Sequence, residues 1–175
     1  MRKFLSCLGA VGLALTALIA LPASASANND PHRFYFGSDP IDLGDQFCGF
    51  PVHLDFPVNN AYATATLLPD GTAIFEVTGG QIATITNTVT HASTKVNASG
   101  PGTFAFYPDG TASILLGRGM GLLYAPNLTA FGYPSNIIQV ANAGDGPMTV
   151  EYATHTILEI PSSLHVLRDI CADLS

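Results

Sequence analysis

One six-residue turn occurs twice in this chain. Leu68-Pro-Asp-Gly-Thr-Ala73 and Tyr107-Pro-Asp-Gly-Thr-Ala112 are near-copies of each other, and each is flanked by short apolar or β-branched runs. Proline fixes φ at the start of such a turn and glycine supplies its left-handed residue, so each copy predicts the loop of a β-hairpin. The first hairpin joins residues 61–68 to 73–78, and the second joins 103–107 to 112–116. Two copies make a repeated hairpin and not a solenoid, which needs about three or more stacked units.

The punctuation elsewhere is of the same kind, with runs of strand length separated by Gly, Pro, Asn and Asp. From Gln81 to Thr90 the chain alternates, with Ala83, Ile85 and Val89 on one face and Thr84, Thr86, Thr88 and Thr90 on the other. A further hairpin is expected to lead to Lys95 through Ser99. Later apolar runs lie at 121–124, 136–141, 148–152 and 156–160. Helical periodicity is confined to the end, where Ser162 or Ser163 is placed to cap a turn presenting Leu164, Leu167, Ile170 and Cys171. The expected fold is all-β in the main: an antiparallel β-barrel or β-sandwich with a short C-terminal helix.

The composition is 47% hydrophobic and 11% charged, which excludes intrinsic disorder and a long coiled coil. Arg2 and Lys3 precede an apolar run from Phe4 to Leu21, and Pro22 then leads into small residues ending at Ala27. That order predicts a secretory signal peptide over 1–27, Cys7 being discarded with it. Behind it come a polar N-terminal segment over 28–45 and a single β-rich domain over 46–175. No second apolar stretch of spanning length follows, so no membrane span is expected after processing. The processed chain would keep Arg33, Lys95, Arg118 and Arg168 against 13 acidic residues, a net charge of −9. Nucleic acids and anionic membrane surfaces recruit clustered Lys and Arg, so neither is an expected partner. Export also places the two remaining cysteines, Cys48 and Cys171, in an oxidising compartment, which predicts one disulfide and a secreted, extracellular protein. The alternative for that pair is a catalytic or metal-binding thiol site, and there is no CxxC.

Several side chains invite a chemical reading. His53 and Asp55 are two apart on an expected strand, where a carboxylate orients an imidazole for base catalysis or metal binding; a solvent-facing pair beside Leu54 is the plain alternative. His155 and Glu159 share a strand face in the same way. His165 and Asp169 are four apart on the expected helix, but two ligands are fewer than protein zinc sites normally supply, so no metal site is assigned. Asp39, Asp42 and Asp45 lack EF-hand spacing and read as turn residues. Gly117-Arg-Gly-Met-Gly121 follows neither phosphate-loop order and reads as a bulge or sharp bend between strands. GxSxG and HExxH are absent from the sequence. Asn97-Ala98-Ser99 and Asn127-Leu128-Thr129 match the N-glycosylation triplet. The threonine face over 84–90 is a place where an ordered surface or another chain could bind, and it also follows from the β-propensity of threonine.

Phe47-Cys48-Gly49-Phe50-Pro51-Val52, the central turns at Ser99-Gly100-Pro101-Gly102-Thr103 and Pro108-Asp109-Gly110, Gly121-Leu122-Leu123, and Asp169-Ile170-Cys171 form an ordered set over most of the chain. In this order the sequence resembles a group of small bacterial secreted proteins of unknown function. The resemblance implies secretion and supports the disulfide, but transfers no catalytic residue. In a bacterial source both glycosylation triplets would usually stay bare.

Two functional readings follow. The first is a secreted, non-enzymatic binding or envelope-associated protein, whose β scaffold presents loops or a cavity to a ligand or an envelope component. The second is an exported hydrolase or isomerase that assembles His53, Asp55 and His155 across strands. No cofactor is implied by any motif, and the oligomeric state is not specified.

Overall fold

A computed structural model describes residues 32–142, 146–162 and 164–175. The expected signal peptide and its cleavage site lie outside these residues. The described chain contains β1 (Arg33–Tyr35), β2 (Ile41–Leu43), β3 (Val52–Leu67), β4 (Ala73–Asn87), β5 (Ser93–Asn97), β6 (Gly102–Phe106), β7 (Thr111–Leu116), β8 (Gly119–Tyr124), β9 (Ile137–Asn142), β10 (Met148–Glu151), β11 (Thr156–Glu159), β12 (Leu164–Asp169) and α1 (Ile170–Asp173). A 3-10 turn over Leu128–Phe131 precedes β9.

Both repeated turns form the hairpin loops expected of them. Leu68 N–H donates to Thr72 O at 2.8 Å and Gly71 N–H to Leu68 O at 3.0 Å; the second copy repeats these bonds from Tyr107 at 2.9 Å and Gly110 at 3.1 Å. Gly71 and Gly110 take φ of 89° and 87°, the left-handed conformation that glycine adopts without steric cost. Asp70 and Asp109 each accept the backbone N–H two residues on, at 2.9 Å. For Asp70 the backbone bond from Thr72 is the main cause of a lowered pKa, and for Asp109 the side-chain bond from Thr111 is. Because β4 pairs with β6, with Ala73 opposite Phe106, the two turns lie side by side; a Cβ on Gly71 would sit 3.2 Å from Pro108.

Every strand pairing is antiparallel, and the strands form two sheets. The larger runs β1-β3-β4-β6-β7-β10-β11, with β2 added to β3 and β5 to β4; the smaller runs β12-β9-β8. Neither closes into a barrel, which of the two expected architectures leaves the sandwich. Hydrophobic clusters join the sheets: Leu54, Ile85 and Val96 of the large sheet meet Ile137 of β9 with Ile170 and Leu174 at the end of the chain. Ala112, Met148, Val150 and Ile157 meet Leu123, Ile138 and Val140. The expected disulfide is present between Cys48 and Cys171, which are 123 residues apart.

The structure departs from the sequence reading at several points. Residues 73–78 and 81–87 are one strand, because β4 runs through Gly79-Gly80 and pairs with β6 near its start and β5 near its end. Ala83 and Ile85 are fully buried as expected, but Val89 lies in the turn beyond β4 and is exposed. Segment 28–45 contributes β1 and β2 to the large sheet. The short C-terminal helix exists but begins at Ile170, with the Asp169 side chain capping it by accepting Ala172 N–H at 3.2 Å. Residues 164–169 are instead strand β12, held by the ladder to β9, and Leu167 falls at a bulge where it is exposed. His165 and Asp169 therefore lie on a strand and not on a helix.

Candidate functional site

A three-stranded sheet cannot cover a nine-stranded one, since each strand spans only about 4.8 Å across a sheet. The inner face of β6 and β7 is left half-covered in consequence. Phe104 and Phe106 alternate on β6, Ala112, Ile114 and Leu116 alternate on β7, and of these only Ala112 is fully buried. Opposite them stands β8, the outer strand of the small sheet. The space between is a cavity of about 400 Å³, partly open to solvent. That is within the usual range for small-molecule sites, and its walls are mostly apolar.

The chain reaches this geometry through the glycines of segment 117–121. Gly117 and Arg118 carry it from β7 in the large sheet to β8 in the small one. The expected bend is therefore a change of sheet. A Cβ on Gly119 would lie 3.0 Å from both Gly100 Cα and Ser99 O, so the crossing depends on close backbone approach.

The cavity's polar groups lie at distinct places. Ser38 and Gln81 sit in a network with Asn59: Gln81 Nε2 donates to Ser38 Oγ at 2.9 Å, and Asn59 Nδ2 to Ser38 O at 2.7 Å. Tyr124, Tyr152 and His155 form a second group, linked by ring contacts of 6.2 Å from His155 to each tyrosine and 5.0 Å from Tyr152 to Phe106. His155 is held in the left-handed region at φ 55°, unusual for a side-chain-bearing residue. Backbone groups line the site as well. Ala125 N–H donates to Asn136 O at 3.1 Å, which marks these two as a hydrogen-bonded pair in the β8–β9 register. Antiparallel alternation then turns the N–H and C=O of Leu122 and Tyr124 away from β9, to the strand's other edge, where Met120 N–H donates to Ser99 O at 3.3 Å.

Of the side chains His53, Asp55, His155, Glu159, His165 and Asp169 singled out for their chemistry, only His155 lines this cavity. It stands in the turn before β11, not on a strand face shared with Glu159. His53 Nδ1 is 2.7 Å from Asp42 Oδ1 across the β2–β3 ladder, so its carboxylate partner is Asp42 and not Asp55. Both partners are substantially exposed, and such surface pairs contribute little stability. Asp55 accepts Phe56 N–H at 2.9 Å beside the β3 bulge. Sequence reasoning missed Tyr124 and Tyr152, whose only signal was their place at the ends of apolar runs. Among the described residues no group of three or more His, Cys, Asp or Glu is placed to hold a metal ion, and no helix is long and apolar enough to cross a membrane.

Asn127, the first residue of a glycosylation triplet, serves the cavity wall. Its Nδ2 donates to Ile157 O at 2.8 Å and its Oδ1 accepts Ile157 N–H at 3.0 Å, completing the free edge of β11 as a neighbouring strand would. Asn127→Ala strands a donor and an acceptor at a residue that is 4% exposed. The expected cost is about 2–3 kcal/mol in urea unfolding. A loss below about 0.5 kcal/mol would show that water replaces both bonds.

Comparisons with protein-family models, curated proteins and solved structures return no match.

Proposed function

We propose that this is an exported, non-enzymatic binding protein that holds a small, predominantly apolar molecule between its two sheets. The observation that carries the reading is the half-covered inner face of β6 and β7, which leaves an apolar cavity of about 400 Å³. Apolar surface in that position gains free energy when a ligand displaces water from it, at about 25 cal/mol per Å² covered. Export is supported by the basic and apolar order of the first 27 residues, by the disulfide, and by the resemblance to small secreted proteins.

The test is binding of a neutral fluorescent apolar probe, N-phenyl-naphthylamine, to the purified protein. The wild-type chain is expected to enhance the probe's emission saturably. Ile114→Trp places an indole in the cavity from β7 and is expected to weaken binding at least about tenfold, with unfolding stability retained as the control. Equal probe affinity in the two proteins would overturn the cavity as the site.

A further inference from the structure

Among the described residues, the lining of the cavity contains no Asp, Glu, Lys or Arg side chain. An ionised ligand group placed inside would face a desolvation cost without a counter-charge, and His155, the one lining residue able to carry charge, is itself exposed to solvent. Three lining polar side chains make no hydrogen bond among the described residues; Tyr152 and His155 are exposed to water, and Tyr124 is the one that is partly buried. The Tyr124 hydroxyl makes no hydrogen bond among the described residues; its ring packs against His155 at 6.2 Å. Desolvation, and then the nearby Tyr152 phenol, raise its pKa, so it stays protonated at neutral pH and presents an O–H donor. Tyr124 is half-buried, and a donor that lines a cavity is satisfied by whatever fills it, water or an occupant with an oxygen acceptor.

Resting on the cavity reading above, we infer that the occupant is an uncharged amphiphile: an apolar body lying against β6 and β7, and one oxygen acceptor, a carbonyl or hydroxyl, taken by the Tyr124 hydroxyl. The backbone N–H groups of Leu122 and Tyr124, turned away from β9, offer further donors to such a head. The exposed Tyr152 and His155 rings cover this end without supplying a fixed charge.

The experiment is displacement of N-phenyl-naphthylamine at pH 8 by three competitors of equal chain length, each below its micelle concentration: methyl dodecanoate, dodecanoate and dodecyltrimethylammonium. The ester is expected to compete at least tenfold better than either ion. Tyr124→Phe is expected to weaken the ester about tenfold, the scale of one hydrogen bond, relative to any change in the probe's own affinity, which is titrated directly in the same variant. Either ion matching the ester, or an ester affinity unaltered in Tyr124→Phe, would overturn the inference. If the probe binds and Ile114→Trp excludes it, such a result removes the head-group assignment alone. If the probe does not bind the wild-type chain, the cavity reading falls and this inference falls with it.

Discussion

Replacing both bridged cysteines, as Cys48→Ala/Cys171→Ala, is expected to lower the unfolding free energy by about 4–5 kcal/mol. The bridge closes a loop of 123 residues, and in the chain-entropy account a loop of roughly this length constrains the unfolded chain by that amount. Alanine is the appropriate replacement because Cys171 lies in the apolar cluster with Ile170 and Leu174. In thermal unfolding the loss corresponds to a fall in Tm of roughly 10 °C or more. Urea unfolding of the oxidised wild type beside the double variant measures it. A difference under about 1 kcal/mol would show that residual structure already restrains the two ends of the unfolded chain.

The second large effect is expected at Gly79, in the middle of β4. Its φ is +150°, and a Cβ there would lie 2.1 Å from Asn60 O and 2.7 Å from Ala61 Cα. These are backbone atoms of the paired strand β3, opposite in register, and no side-chain rotation relieves the overlap. Gly79→Ala must therefore part the two longest strands of the large sheet, at an expected cost of about 3 kcal/mol or more. Gly110→Ala is the comparison: it also has a left-handed φ, of 87°, but a Cβ there meets nothing within 4 Å. It should lose only the conformational penalty, about 1–2 kcal/mol. Chemical denaturation of the two variants separates steric exclusion from backbone preference, and equal losses would place the whole effect of Gly79 in its φ.

The hairpins were legible because their signal is local. Pro69, Asp70 and Gly71 specify a turn whatever lies across the sheet, and so do Pro108, Asp109 and Gly110. The cysteine pairing was legible for a different reason, since only two cysteines lie beyond residue 27. The C-terminal helix was misplaced because the spacing of Leu164, Leu167 and Ile170 fits a helix, whereas pairing with β9 and a bulge at Leu167 decide the backbone. The cavity was not legible in detail. Its existence depends on which strands join which sheet, and that partition is made at Gly117 and Arg118, where the sequence shows a bend but not its destination. His53 and Asp55 drew notice through their spacing, yet the cross-strand neighbour Asp42 is the partner that the β2–β3 register supplies. The left-handed backbone of His155 has no sequence signature of the kind that glycine gives at 71 and 110.

One apolar cluster draws on distant parts of the described chain: Leu43 and Val52 come from β2 and β3 and Phe47 from the turn between them, while Ile170, Cys171 and Leu174 lie among its last six residues. A polypeptide delivered N-terminus first, from a ribosome or through a narrow transport channel, cannot complete that cluster until its final turn has emerged. The repeated hairpins can pair early, as local contacts form fastest. Closure of the core waits for residues 170–174, so the earlier strands stay without their full apolar cover until those residues reach them.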